Sequence, residues 1–203
     1  MWVIIALIGV FCYLATRNLK DVPGPLQNAA ELAIEKLQDY FKGTLGEKHM
    51  RKYLTIFSTF FIFIIVSNYS GLLPGMGHFK GMAVPTSSFS VTAGLGIVAF
   101  FTTHIIGSRE LGFGNYMKSF TKPVALLLPL MILEQFVRPF SLALRLYGNL
   151  FGEELVTENL YEIFPIGLPL IMNVLSLIFC LIQAMVFTML LSIYVAEAIE
   201  EAD

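Results

Sequence analysis

The sequence predicts an all-α, multi-pass membrane protein, and three features carry that expectation. Charge is scarce: 56% of the 203 residues are hydrophobic and only 14% are charged, against about 25% charged in soluble domains. The scarcity is concentrated, with charge-free runs at Met1 to Thr16, Tyr53 to Leu73, Ser88 to Thr103 and Leu168 to Ala196. Several of these approach or exceed the roughly 20 residues a helix needs to cross a hydrocarbon core about 30 Å thick. The basic residues are also sorted between the connections. About five membrane helices and one amphipathic surface helix follow, as a single membrane domain over residues 1–203.

The first membrane helix covers residues 1–16. It lacks a basic leading region and a small-residue cleavage site, so a permanent helix is expected rather than a removed signal. A surface helix follows at residues 25–45, where Leu26, Ala30, Ala33, Ile34, Leu37, Phe41 and Leu45 recur at helical spacing. Pro25 suits its first turn and Gly43 its end. Its apolar face is expected against the membrane surface or a partner. Residues 53–73 and 88–106 make a membrane hairpin. Residues 123–155 and 168–196 make a second one. As helices these last two run about 50 and 42 Å at 1.5 Å per residue, too long to stand upright, so they tilt or bend.

Orientation follows from Lys and Arg, which favour the cytoplasmic side. Seven lie between Arg17 and Lys52 and three between Gly107 and Lys122, ten of thirteen in all. Five crossings then put the N-terminus outside and the C-terminus in the cytoplasm. The acidic tail, Glu197 to Asp203, carries little weight in that rule. Cys12 and Cys180 sit in apolar helices and read as small packing residues. No internal repeat, phosphate-binding glycine loop or HExxH motif is present, and no cofactor or metal is expected.

The fourth membrane helix carries Glu134, Arg138, Arg145, Glu153 and Glu154. A charge at the bilayer centre costs at least ~2.5–3.5 kcal/mol and marks ion paths. Projected at 100° per residue, Glu134, Arg138, Ser141, Arg145 and Asn149 fall within about 40° of one line. Glu153 sits about 80° away and Glu154 opposite. Glu134 and Arg138, four apart, suit an ion pair. Arg145 has no carboxylate three or four residues away, and arginine does not shed its proton, so its counter-charge comes from elsewhere. On the fifth helix Ser176, Gln183 and Tyr194 share a face with Asn173 nearby, and polar groups in hydrocarbon need partners. Gly148 and Gly152 form a small-xxx-small pair suited to helix packing, and His104 reads as interfacial.

The stretch from Leu133 to Leu155, LEQFVRPFSLALRLYGNLFGEEL, resembles the signature of the F-type ATP synthase a subunit. Ile182 to Phe187 resembles that family's last helix, and Asn68 to Gly75 the end of its first hairpin helix. The likeness runs from about Pro25 to the C-terminus. It implies the stationary membrane subunit of the F0 sector, a translocating rather than nucleotide-binding chain in a bacterial plasma membrane. Its implied partners are the c-subunit ring, the b-subunit peripheral stalk, other synthase subunits and membrane lipid, with no nucleic acid. Arg145 would correspond to the essential arginine facing the ring, Gln183 to the glutamine beside it, and Asn149 and Glu154 to polar groups of the outer half-channel. Glu134, Ser141, Glu153 and Ser176 complete the expected proton pathway. Ser176 stands where other members carry His, Glu or Gly, and Ser88 and Gly71 replace acids of the family pattern. A sodium-coupled form of the same subunit, an unrelated proton-conducting transporter and a membrane scaffold remain the alternatives.

Overall fold

In a computed structural model the described residues are 2–17, 24–71, 85–119, 128–163 and 167–200. They contain no strand, and they form six α-helices and one short 3-10 turn. Most of the connection expected from Pro74 to Ser87, up to residue 84, and the expected start of the fourth membrane helix at 123–127 lie outside them.

Helix α1 (Trp2–Thr16) is largely exposed and lies against α2, with Ile4 buried. Helix α2 (Pro25–Ser70) joins the expected surface helix and the first membrane helix of the hairpin into one bent element. The break is at Gly46, at φ 70° and ψ 161°, a conformation essentially restricted to glycine. The end expected at Gly43 therefore falls three residues later. Leu37, Phe41 and Leu45 form the buried face of the first arm, while Glu31, Glu35, Lys36 and Lys42 are exposed. That face packs on α6 of the same chain, where the Tyr40 hydroxyl donates to the Met185 carbonyl at 3.3 Å. The chain itself thus supplies the partner that the amphipathic pattern calls for. The second arm buries Met50, Tyr53, Phe57, Phe60 and Ile64 at three- and four-residue intervals, the spacing of one helical face. Phe57 meets Phe41 across the bend at 5.3 Å between ring centroids, and Phe60 stacks on Phe187 of α6 at 6.1 Å.

The 3-10 turn Pro85–Ser87 leads into α3 (Phe89–Leu111), which packs against α5 and α6. Gly96 permits the contact: a Cβ there would stand 2.9 Å from the Pro139 carbonyl oxygen of α5 and 3.1 Å from the Ala143 Cβ. After Gly112 the chain turns into the short α4 (Phe113–Ser119). Tyr116 of α4 meets the His104 Nδ1 through its hydroxyl at 2.6 Å, so His104 is bonded inside the fold rather than left to the interface. Glu110 ties the end of α3 to α2 by pairing with Lys52 and accepting from the Tyr53 hydroxyl, with the His49 Nε2 at 3.9 Å.

The long hairpin consists of α5 (Leu128–Ile163, 36 residues) and α6 (Leu168–Glu200, 33 residues). At 1.5 Å per residue they extend about 54 and 50 Å. Helix α5 runs past its expected end at residue 155 to Ile163. Among the described residues three helices are long and apolar enough to cross a membrane, through Gln27–Ser70, Phe89–Leu111 and Ile171–Ile199. Helix α1 holds a shorter apolar segment, Ile4–Leu14. The α5 sequence contains seven charged residues, the source of its chemistry. This is an all-α integral membrane protein.

Candidate functional site: the α5–α6 hairpin

Because α5 and α6 run antiparallel, residues on facing sides meet in rungs whose numbers rise on one helix as they fall on the other. The first rung sets the Glu153 carboxylate beside the Ser176 hydroxyl. Glu153 is half-buried and Ser176 is 1% exposed. The second joins Asn149 to Gln183: the Asn149 amide nitrogen donates to the Gln183 Oε1 at 2.6 Å. The third joins Arg138 to Tyr194, the guanidinium lying 5.1 Å over the ring centroid. Arg138 also bonds Glu134 at 2.8 Å and Glu197. The three polar side chains that share one face of α6 in sequence thus each find an α5 partner.

Arg145 falls between the second and third rungs and makes no ion pair among the described residues. It is exposed, and so are its neighbour Leu144 and the apolar Phe136, Phe140 and Phe151 of α5. Helix α6 likewise exposes Ile171, Val174, Ile178 and Ile182. A cation at membrane depth on an apolar surface is costly unless a second molecule supplies its counter-charge. Ser141 is half-buried between the two arginines. Glu154 is exposed, in keeping with its place opposite the stripe. Gly148 and Gly152 serve no packing within the chain, since an added Cβ at either meets nothing within 4 Å. Their open surface lies on the same helix as the exposed arginine.

The fold adds groups that the sequence pattern left aside. The Tyr69 hydroxyl of α2 donates to the Leu177 carbonyl at 3.2 Å, and its ring packs beside Leu150 and Cys180. That sets the end of α2 against the Glu153–Ser176 rung. Just before it, the Ser67 hydroxyl and both amide atoms of Asn68 are buried without a partner among the described residues, as is the Thr86 hydroxyl. The Gln183 Nε2 is in the same condition. Buried polar atoms of this kind are normally satisfied by internal water. Ser67 and Asn68 were visible as polar interruptions of an apolar run, but only the fold sets them beside the hairpin. Glu197, discounted in sequence as part of an acidic tail, is drawn in by Arg138. Among the described residues no three His, Cys, Asp or Glu side chains converge as a metal site.

The sequence profile of the family described as ATP synthase A chain matches residues 1–196. The chain is 40% identical to ATP synthase subunit a 3 of Pelobacter propionicus, over 99% of this chain and 86% of that one. It is 38% identical to ATP synthase subunit a 1 of Syntrophotalea carbinolica, over 99% and 84% respectively. Identity to ATP synthase subunit a of Moorella thermoacetica is also 38%, over 96% and 86%. The likeness spans the signature helix and its antiparallel partner alike, and the chain belongs to the ATP synthase A chain family.

Proposed function

We propose that this subunit conducts protons through two offset half-channels and couples their flow to a rotating ring of c subunits. The observation that carries this reading is Arg145, an exposed cation on an apolar membrane helix with no ion pair among the described residues. Its counter-charge is a carboxylate on each passing ring subunit. Facing lipid, that carboxyl stays protonated, because burial disfavours the anion. Beside Arg145 the anion is favoured and the proton leaves. Asn149 and Gln183, joined by a hydrogen bond, sit next to the arginine and supply amide groups to water or to the ring carboxylate.

On the outer side Glu154 meets water and Glu153, beside Ser176, hands the proton inward. Water held by Ser67, Asn68 and Thr86 would extend this wet path and compensate for the serine at position 88. On the inner side Ser141, Arg138 and Glu134 lead away from Arg145. The positive charge of Arg145 keeps the two paths from joining. A proton crossing 100 mV releases about 2.3 kcal/mol, which the ring collects over many sites. The whole chain acts as one membrane domain, with its N-terminus outside and its C-terminus in the cytoplasm. The c ring covers the exposed face of the hairpin, and the b-subunit stalk holds the chain still.

The test is Arg145→Ala in the complete enzyme, read as ATP-driven proton pumping into inverted vesicles with assembly measured in parallel. Pumping and ATP synthesis should both vanish while the ring still co-purifies, because the hairpin is packed by apolar residues. An Arg145→Ala enzyme that pumps normally would overturn the proposal.

A further inference from the structure

The end of the hairpin that carries Arg138 holds more negative charge than a structural ion pair requires. One guanidinium is neutralised by one carboxylate, yet Arg138 bonds two, Glu134 from its own helix and Glu197 from α6. The cluster therefore has one anion in surplus. The burial is graded as well: the Arg138 side chain is 19% exposed, whereas Glu197 is 43% and Glu134 53% exposed. The carboxylates are the exposed members of the cluster, with the arginine behind them. On its other side Arg138 lines a cavity with room for about one water, walled also by Thr103, His104, Gln135 and Tyr194. Arg138 lies seven residues before Arg145, about 10 Å along the helix axis.

We infer that Glu197 and Glu134, clamped to Arg138, form the proton antenna of the inner half-channel: one shared anionic site that exchanges protons between bulk water and the path to Arg145. The inference rests on the stator reading and adds the group that loads and unloads its inner end. In the pumping direction a hydronium ion gives its proton to a carboxylate oxygen, forming an O–H bond and leaving water. That bond breaks when the proton passes to water on the path toward the ring, and the carboxylate is restored. Arg138 cannot take the proton itself, since it is already fully protonated. It holds both carboxylates in place as one of them is neutralised. The other charged or titratable groups facing the cluster are Arg145 and Tyr194 on the hairpin and His104 on α3.

The experiment is ATP-driven pumping by the complete enzyme in inverted vesicles, where the bath reaches the inner face, recorded as rate against bath pH. The variants are Glu197→Gln, Glu134→Gln, both together and Glu197→Asp, with subunit stoichiometry measured in each. With one carboxylate gone, the other faces Arg138 alone and holds its proton less tightly. The alkaline fall in pumping should therefore move to lower pH by about one unit in Glu197→Gln. Glu197→Asp should largely restore the wild-type profile, and the double variant should pump about tenfold slower or worse. An unmoved profile in Glu197→Gln, or normal pumping by an assembled double variant, overturns the antenna. If the double variant does not assemble, Glu197→Gln decides alone, since Arg138 keeps Glu134 there. A silent Arg145→Ala enzyme together with an unmoved Glu197→Gln profile overturns the antenna and leaves the stator reading standing.

Discussion

Arg145 and Arg138 lie on one helix seven residues apart, and their surroundings assign them opposite work. Arg138 is held by Glu134, Glu197 and the Tyr194 ring, so its charge is spent inside the subunit. Arg145 has no such clamp, and its field is free to act on a neighbour. Lysine cannot stand in for it, because a compact ammonium group loses its proton far more readily when desolvated. Arg145→Lys should assemble normally and pump at least about tenfold more slowly than wild type, measured by fluorescence quenching in inverted vesicles. The two outer carboxylates differ in the same way. Glu153 is half-buried with Ser176 as its partner, and Glu154 is exposed. Glu153→Gln keeps a polar group beside Ser176 and removes the titratable proton, so pumping should fall while assembly stays intact. Wild-type pumping by Glu153→Gln would leave the outer relay to Glu154 alone.

At the scale of elements, two glycines set the geometry that the hairpin depends on. Gly46 lets α2 bend so that its first arm packs on α6 while its second arm lines the bundle core. Replacing it by valine forces a β-branched side chain into a glycine-only conformation, at a cost of about 1–3 kcal/mol. Gly96 lets α3 close on the α5 backbone at Pro139. Gly96→Leu should cost a similar ~1–3 kcal/mol through overpacking. Both should appear as lower thermal stability of the purified complex, Gly46→Val by loosening α2 from α6 and Gly96→Leu by pushing α3 off α5. Gly148→Ala is the useful contrast, since its Cβ meets nothing within the chain. A fault in that variant would appear only in the assembled enzyme, as the proposed cover of α5 by the ring requires.

At the scale of the whole molecule the open question is direction. Ten of the thirteen basic residues fall between Arg17 and Lys52 or between Gly107 and Lys122, and the proposed orientation rests on them, since Lys and Arg favour the cytoplasmic side. Under that proposal Glu153 and Glu154 lie near the outer surface and Arg138 and Glu197 near the inner one. Cysteine labelling in intact cells tests this with Lys80→Cys and Lys118→Cys. Impermeant reagent should reach position 80 from outside and position 118 only in inverted vesicles. The reverse pattern would exchange the two half-channels and make the Arg138 cluster the outer one.

Hydropathy and spacing were enough to announce an all-helical membrane chain, because the scarcity of charge is a property of composition and the 3.6-residue repeat a property of local geometry. The stripe from Glu134 to Asn149 was legible for the same reason, since residues on one helix keep their angular relations whatever surrounds them. The signature around Arg145 was local as well. What the helix would meet was not local. The pairing of Glu153 with Ser176, of Asn149 with Gln183 and of Arg138 with Glu197 depends on the register of two antiparallel helices. A slide of one turn, about 5.4 Å, changes every rung. The surface helix was readable as amphipathic, yet its partner proved to be α6 because the bend at Gly46 turns it back onto the bundle. Glu197 reads in sequence only as part of an acidic tail, and Asn68 only as the start of a family-like segment. Their neighbours come from segments 59 or more positions away in one case and from the packing of α2 on the hairpin in the other. Such contacts are set by side-chain volumes and close approaches across the bundle, which a linear pattern does not contain.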